Sequence, residues 1–317
     1  MPTCPRCFAT VVAEGSCAAC GLRFVRDGDL LDVIGSSERE ARAATVERFY
    51  GRSPFPGYAP ADDAASLLDR SRQSAFLRAL DTAIDPSARV LDCGCGTGQL
   101  AAFLALAGPR RQVFGVDGCA ASLRLAESFR ARVGLDNLQL VRGELFDLPA
   151  KTAGFDVVVC RGVVHHTPRP YEAIARVAAC TAPGGALVLG FYESQARLVH
   201  RARRSLGRVL GRPAAWLDPI LRRADLDPEK KRIWIDDQYR HPEEHILPLP
   251  RVVDCLDRMG FAWIRTVPPL GTDPLFAAAP RPGGAGMVAR RVGMACAGLR
   301  DPDAGLICYV ARRPAAS

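Results

Sequence analysis

No apolar run in the 317 residues reaches the ~18 positions that a membrane-spanning helix needs. The opening residues, Met1-Pro2-Thr3-Cys4-Pro5-Arg6-Cys7, hold no apolar segment of the secretory kind, so a cytoplasmic address is the expectation. No aromatic-interleaved basic stripe of the sort that stacks nucleic-acid bases is present. The formal net charge of +8 favours anionic partners through long-range attraction, yet it is modest for this length and does not by itself imply nucleic acid. A disulfide framework is not expected either. Eight of the twelve cysteines, from Cys93 onward, are scattered, mostly among apolar or small neighbours, and read as buried thiols.

The other four cysteines are grouped. Cys4-Pro5-Arg6-Cys7 and Cys17-Ala18-Ala19-Cys20 are two C-x-x-C turns separated by nine residues. Two such turns can complete a tetrahedron of thiolates around one metal, which would also supply the folding energy of so short a segment. The alternative, a redox C-x-x-C, lacks a strand and helix following either pair. Cys4, Cys7, Cys17 and Cys20 are therefore the candidate ligands of a structural zinc ribbon over residues 1–34, with no open coordination position for catalysis.

A lead-in follows at residues 35–87, with a polar helix expected from Ser37 to Tyr50 and an amphipathic one from Asp62 to Ala83. From residue 88 short apolar strands alternate with helices: Arg89–Cys93, Gln112–Asp117, Leu138–Val141, Phe155–Cys160 and Gly185–Phe191 are the strands. That rhythm predicts a doubly wound α/β domain with a seven-stranded, mostly parallel sheet, its core at residues 88–193. Residues 194–247 break the rhythm. A basic amphipathic helix from Ala196 to Gly211 opens a helical insertion, read as a lid and acceptor region over the site. Residues 248–317 return to the sheet, with strands at Phe261–Val267 and Leu306–Ala311. The Gly-, Pro- and Ala-rich stretch 271–304 predicts no regular element.

The chemistry centres on Val90-Leu91-Asp92-Cys93-Gly94-Cys95-Gly96-Thr97-Gly98-Gln99-Leu100, where a strand ends, a glycine turn follows and a helix begins. Glycines let a ligand approach the backbone, and the helix N-terminus favours an anionic group. The dinucleotide fingerprint G-x-G-x-x-G is not met, because Gln99 stands where its third glycine would be.

This stretch resembles motif I of the class I S-adenosylmethionine-dependent methyltransferases, of the type 11/12 kind. Four further pieces resemble the family's in order and spacing: Val113–Asp117, Arg142–Pro149, Phe155–His166 and Ala182–Leu189. The resemblance covers roughly residues 85–192. It implies that Asp92, Gly94, Cys95, Gly96 and Gly98 line the methionine end of the cofactor. It implies that Asp117 accepts from both ribose hydroxyls, and that Gly118, Cys119, Glu144 and Leu145 flank the adenine. Cys160 and Arg161 then lie near the methyl donor. A plainer role for Asp117 is to cap the helix that follows.

A general base is needed only where the acceptor must lose a proton. His166, Tyr239 and His241 are the candidate catalytic residues. The last two belong to a donor-rich segment, residues 236–245, that forms either an acceptor pocket or a solvated connector. Together with Phe49 to Tyr58 before the domain, this segment resembles a group of bacterial methyltransferases that carry an N-terminal zinc ribbon and whose substrate is unassigned. The implied activity is methyl transfer to a small-molecule or lipid-like acceptor, with peripheral membrane contact through the basic helix as one variant. Two other functions stay open: an rRNA or tRNA methyltransferase with an RNA-binding ribbon, and a non-catalytic cofactor-binding partner protein.

Overall fold

The computed structural model describes residues 2–11, 15–33, 51, 57–58, 62–148, 150–209, 218, 220–222, 228–239, 243–300 and 305–315. The helix expected over Ser37–Tyr50, and His241, lie outside them. Two short strands come first, β1 (Val25–Asp27) and β2 (Leu30–Asp32), then helices α1 (Ala64–Gln73) and α2 (Ala75–Ala83). The single helix expected over Asp62–Ala83 is thus split at Ser74, which ends α1 and caps α2 by accepting from the Leu77 amide. Asp63 and Ser66 form a reciprocal capping box at the start of α1.

The alternating part runs β3 (Arg89–Cys93), α3 (Gln99–Ala107), β4 (Gln112–Asp117), α4 (Ala120–Val133), β5 (Leu138–Arg142), β6 (Phe155–Arg161), α5 (Pro170–Ala179) and β7 (Thr181–Tyr192). The insertion supplies α6 (Leu198–Val209) and α7 (Pro228–Tyr239). The chain then forms α8 (Leu249–Arg258), β8 (Ala262–Val267), α9 (Gly284–Arg300) and β9 (Leu306–Arg312).

One sheet holds all nine strands in the order β1-β2-β5-β4-β3-β6-β7-β9-β8. The five strands from β5 to β7 are parallel and β9 is antiparallel to both its neighbours. The sheet has nine strands rather than the expected seven because the ribbon's hairpin joins it. β2 pairs in parallel with β5, Leu31 opposite Val141 and Asp32 opposite Arg142. Side chains reinforce the join: Arg142 meets Asp32 at 2.8 Å, and Arg130 meets Asp29 at 2.7 Å.

The two faces of the sheet carry different covers. Helices α1 to α4 bury Leu67, Leu80, Phe103, Leu123 and Phe129 on one face, against Val90, Val113, Leu140 and Val159. On the other face α5 and α8 lie over β6, β7 and β9. Among the described residues between β5 and β6 a single 3₁₀ turn, Leu145–Asp147, stands where a long helix would otherwise cross. The ribbon packs on this face instead. Phe8 sets its ring 5.7 Å from Phe114 and 5.3 Å from Phe155, and Cys4, Cys17, Leu22 and Phe24 join the same core. No helix among the described residues is long and apolar enough to cross a membrane.

Helix α9 corrects the reading of residues 271–304 as structureless. Four glycines and scattered alanines give it little intrinsic preference for helix. Its place is set by tertiary contacts, with Met287 and Met294 buried beneath it.

Candidate active site

The order of the strands reverses at β3: the chain moves outward through β4 and β5, then returns to β6 on the other side. Such a switch point opens a crevice beyond the carboxyl ends of the two strands that flank it. The loops leaving β3 and β6 touch there. A side chain at Gly94 would stand 2.3 Å from a methyl of Val163. Gly94, Gly96 and Gly98 take φ of +73°, +55° and +74°, the left-handed region that glycine alone enters freely. The Gly94 amide donates to Val116 O at 2.7 Å, which ties the turn to the end of β4. Gly98 opens α3 so close to α4 that a Cβ would come within 2.9 Å of Ala126.

Two carboxylates border the turn. Asp117, last in β4, accepts from the Gly96 amide at 2.8 Å and the Cys119 amide at 2.7 Å. Its carboxylate is thereby fixed between the turn and the start of α4. Asp92 lies in β3 and is only 3% exposed, and its Oδ2 has no hydrogen-bond partner. Burial, with the charge of Asp117 adding, pushes its carboxyl up to about 7, while Arg161 pulls the other way. A buried acceptor without a donor suits a ligand that brings N–H groups, above all a cationic one. Across the crevice, Glu144 Oε1 lies 3.9 Å from where a Gly118 Cβ would be.

The structure therefore gathers Asp92, Gly94, Gly96, Gly98, Asp117, Gly118 and Glu144 around one crevice. Arg161, exposed at the end of β6, lies near enough to Asp92 to influence its charge and sets its guanidinium 5.8 Å over the Phe76 ring. Other expected residues offer less. The Cys95 and Cys160 side chains are turned into the two cores, Cys95 against the bare backbone of Gly115, so only their backbone can face a ligand. Cys119 is buried at the start of α4, and Leu145 packs on the ribbon-side core. For Cys160 alternation along β6 decides the outcome, because successive side chains enter opposite faces.

His166 and Tyr239 occupy different surroundings. His166 is buried, and its Nδ1 meets the Glu243 carbonyl at 2.7 Å. A carbonyl only accepts, so Nδ1 carries the proton and Nε2 is the ring's acceptor nitrogen. Burial lowers its pKa to about 4, which keeps the ring neutral near pH 7. Its neighbour His165 stacks 3.8 Å from the Tyr192 ring, at the end of β7. Tyr239, on α7, donates to Asp218 at 2.7 Å, and the Trp234 indole N–H donates to the same carboxylate oxygen at 3.1 Å. Burial and the Asp218 carboxylate both raise its pKa.

Two residues that the sequence reading passed over join the insertion to the sheet. Glu193, fully buried just past β7, accepts from the amides of Gln195, Ala196 and Leu249 and pairs with Arg291 of α9 at 2.9 Å. Arg197, 2% exposed, lies 3.6 Å over the Tyr192 ring, donates to Gln238 at 2.7 Å and pairs with Glu244 at 3.2 Å. The sequence signal for Glu193 is an acidic residue directly ending an apolar strand. Arg197 has none, being one arginine among many.

At the ribbon, Cys4 and Cys20 sulfurs are 3.6 Å apart and those of Cys7 and Cys17 3.5 Å, with all four within 4.8 Å of one another. A tetrahedral zinc–thiolate centre has edges of about 3.8 Å. The four thiols thus form a cluster of the right size to hold a metal ion.

Residues 91–189 match the methyltransferase domain family. The tRNA U34 carboxymethyltransferase of Methylococcus capsulatus is 36% identical over 114 residues, covering 35% of this chain and 35% of its own. The ubiquinone biosynthesis O-methyltransferase of Albidiferax ferrireducens is 37% identical over 98 residues, covering 31% and 38%. The chain spans about a quarter to a half of the length of the curated relatives it matches. Among solved structures, PKMT2 from Rickettsia typhi aligns with a TM-score of 0.53 at 15% identity, covering 80% of this chain and 54% of that one. That likeness establishes the shared fold.

Proposed function

We propose that this chain, which carries a methyltransferase domain over residues 91–189, uses S-adenosylmethionine to methylate a small-molecule or lipid-like acceptor. The observation that carries the reading is the unpartnered Oδ2 of buried Asp92 beside a turn that three left-handed glycines leave open. A methionine-type ammonium is a cationic donor of the kind that oxygen lacks. Asp117 at the end of β4 is the residue for the ribose hydroxyls, and Glu144 and Gly118 border the adenine position. Bound there, the sulfonium supplies an electrophilic methyl carbon. The protein's own part is to align the two reactants and exclude water.

The acceptor would enter beside β7, where the insertion is fixed by Glu193 and Arg197 and the His165–His166 turn is buried. His166 Nε2 is suited to take a proton from an acceptor hydroxyl. The low pKa makes it a weak base, best matched to an acidic hydroxyl such as a phenol's. Tyr239 shapes the insertion through Asp218. Zinc is the ion we assign to the four thiols, as a structural centre closed by four sulfurs.

Incubating the purified protein with methyl-labelled donor and separate pools of phenolic small molecules, bacterial lipid extract and tRNA tests the acceptor class. Label in the first or second pool, lost in Asp117→Ala, supports the reading. Label confined to tRNA would replace it with RNA methylation.

A further inference from the structure

Away from the crevice, two helices hold apolar side chains in solvent. On α6 the exposed residues Leu198, Ala202, Leu206 and Val209 follow the spacing i, i+4, i+8, i+11, which is one stripe of a helix. Leu206 is 48% exposed and Val209 83%. Helix α9 packs against α6 and repeats the pattern with Ala285, Val288, Ala289, Val292 and Cys296. Val288 is 60% exposed and Val292 55%. A helix on a water-facing surface ordinarily turns its apolar stripe inward. Here the inner side also holds polar groups: His200 of α6 is buried against Gln238, and Arg291 of α9, beside the buried Met287 and Met294, is drawn to Glu193.

The charges are as one-sided as the stripes. Helix α6 contains four arginines and α9 three, and neither contains an aspartate or glutamate. Residues 197–223 as a whole hold eight arginines against the single carboxylate of Asp218. We propose that the outer face of α6 and α9 docks on an anionic membrane surface, the Leu and Val side chains of both helices entering the headgroup boundary and Arg201, Arg203 and Arg204 of α6 meeting lipid phosphates.

Charge and composition select this occupant over others. Neither helix contains Phe, Tyr or Trp, so nothing on them offers the stacking platform that single-stranded RNA needs. A two-fold contact with a second copy would set arginine against arginine with no carboxylate between. Helix α6 begins at Leu198, shortly after β7 ends at Tyr192, so the docking face adjoins the carboxyl edge of the sheet. That placement suits a lipid-like acceptor, but the docking itself does not depend on methyl transfer.

Cosedimentation of the full-length protein with phosphatidylcholine vesicles, and with vesicles also containing phosphatidylglycerol, tests it. The protein should pellet with the anionic vesicles and stay in solution with the neutral ones, and salt should weaken the binding. The double variant Leu206→Glu/Val292→Glu should bind about tenfold more weakly or worse while unfolding at the wild-type temperature. The milder Val209→Ser/Val288→Ser gives the same comparison should the first variant misfold. Failure of the wild type to pellet with anionic vesicles would overturn the proposal. So would variants that bind as well as wild type, or a lipid-free dimer that light scattering shows them to break.

Discussion

Replacing Asp92 with asparagine should stabilise the protein progressively as the pH rises, while weakening its hold on the cofactor. The wild-type carboxyl is buried and pushed up to about 7, against about 3.9 for an exposed aspartate. Between those values the folded chain keeps a proton that the unfolded chain has released. Stability carried by this group is complete at low pH and is lost as the pH climbs through 7. From pH 5 to pH 8 the loss comes to about 2.5 kcal/mol, at about 1.4 kcal/mol per tenfold change in proton affinity. Asparagine does not titrate. Whatever its amide costs in that site, about 1–3 kcal/mol if left unpaired, is the same at both pH values and cancels in the comparison. The difference in Tm between Asp92→Asn and wild type should therefore grow by roughly 4 °C over that range, for a chain of 317 residues. Thermal unfolding followed by circular dichroism at pH 5, 6, 7 and 8 measures it. A difference that stays constant with pH would refute the reasoning, because it would mean that Arg161 fully compensates the buried charge.

Other perturbations probe the ribbon and the insertion. Phe8→Ala removes a ring wedged between Phe114 and Phe155 and should cost about 2–4 kcal/mol, visible as a lower Tm. An unchanged Tm would show that the ribbon does not brace the sheet. Stripping the metal with a chelator should expose the same aromatic cluster and raise the fluorescence of an added naphthalene sulfonate dye, with no rise contradicting the cover assigned to the ribbon. Glu193→Ala takes the carboxylate from three amides and from Arg291, at a cost of about 3–5 kcal/mol, and should open residues 194–247 to proteolysis. A digestion pattern identical to wild type would place the tether elsewhere.

The parallel core was legible because its cues are local. Apolar strands of four to seven residues, the glycine turn after Cys93 and an acidic residue ending β4 each announce themselves within a few positions. The same holds for Cys4, Cys7, Cys17 and Cys20, whose spacing alone groups them. What depends on partners distant in sequence was not legible. The pairing of Leu31 with Val141 crosses more than a hundred residues, and nothing in Leu30-Leu31-Asp32 distinguishes a free hairpin from an added sheet edge. Helix α9 is held by burial of Met287 and Met294 against a weak helical preference, so its composition pointed the wrong way. At the site, the motif picked out positions that the structure gathers around one crevice, but it did not give the side-chain directions. Cys95 and Cys160 fall within the matched segments, yet their thiols fill the cores.

Calorimetric titration with S-adenosylmethionine and S-adenosylhomocysteine, on wild type and on Asp117→Ala, tests the central claim most directly. The account predicts micromolar binding of both ligands to the wild type and its loss in the variant, whose fold circular dichroism should show intact. Absence of binding to the folded wild type would contradict it.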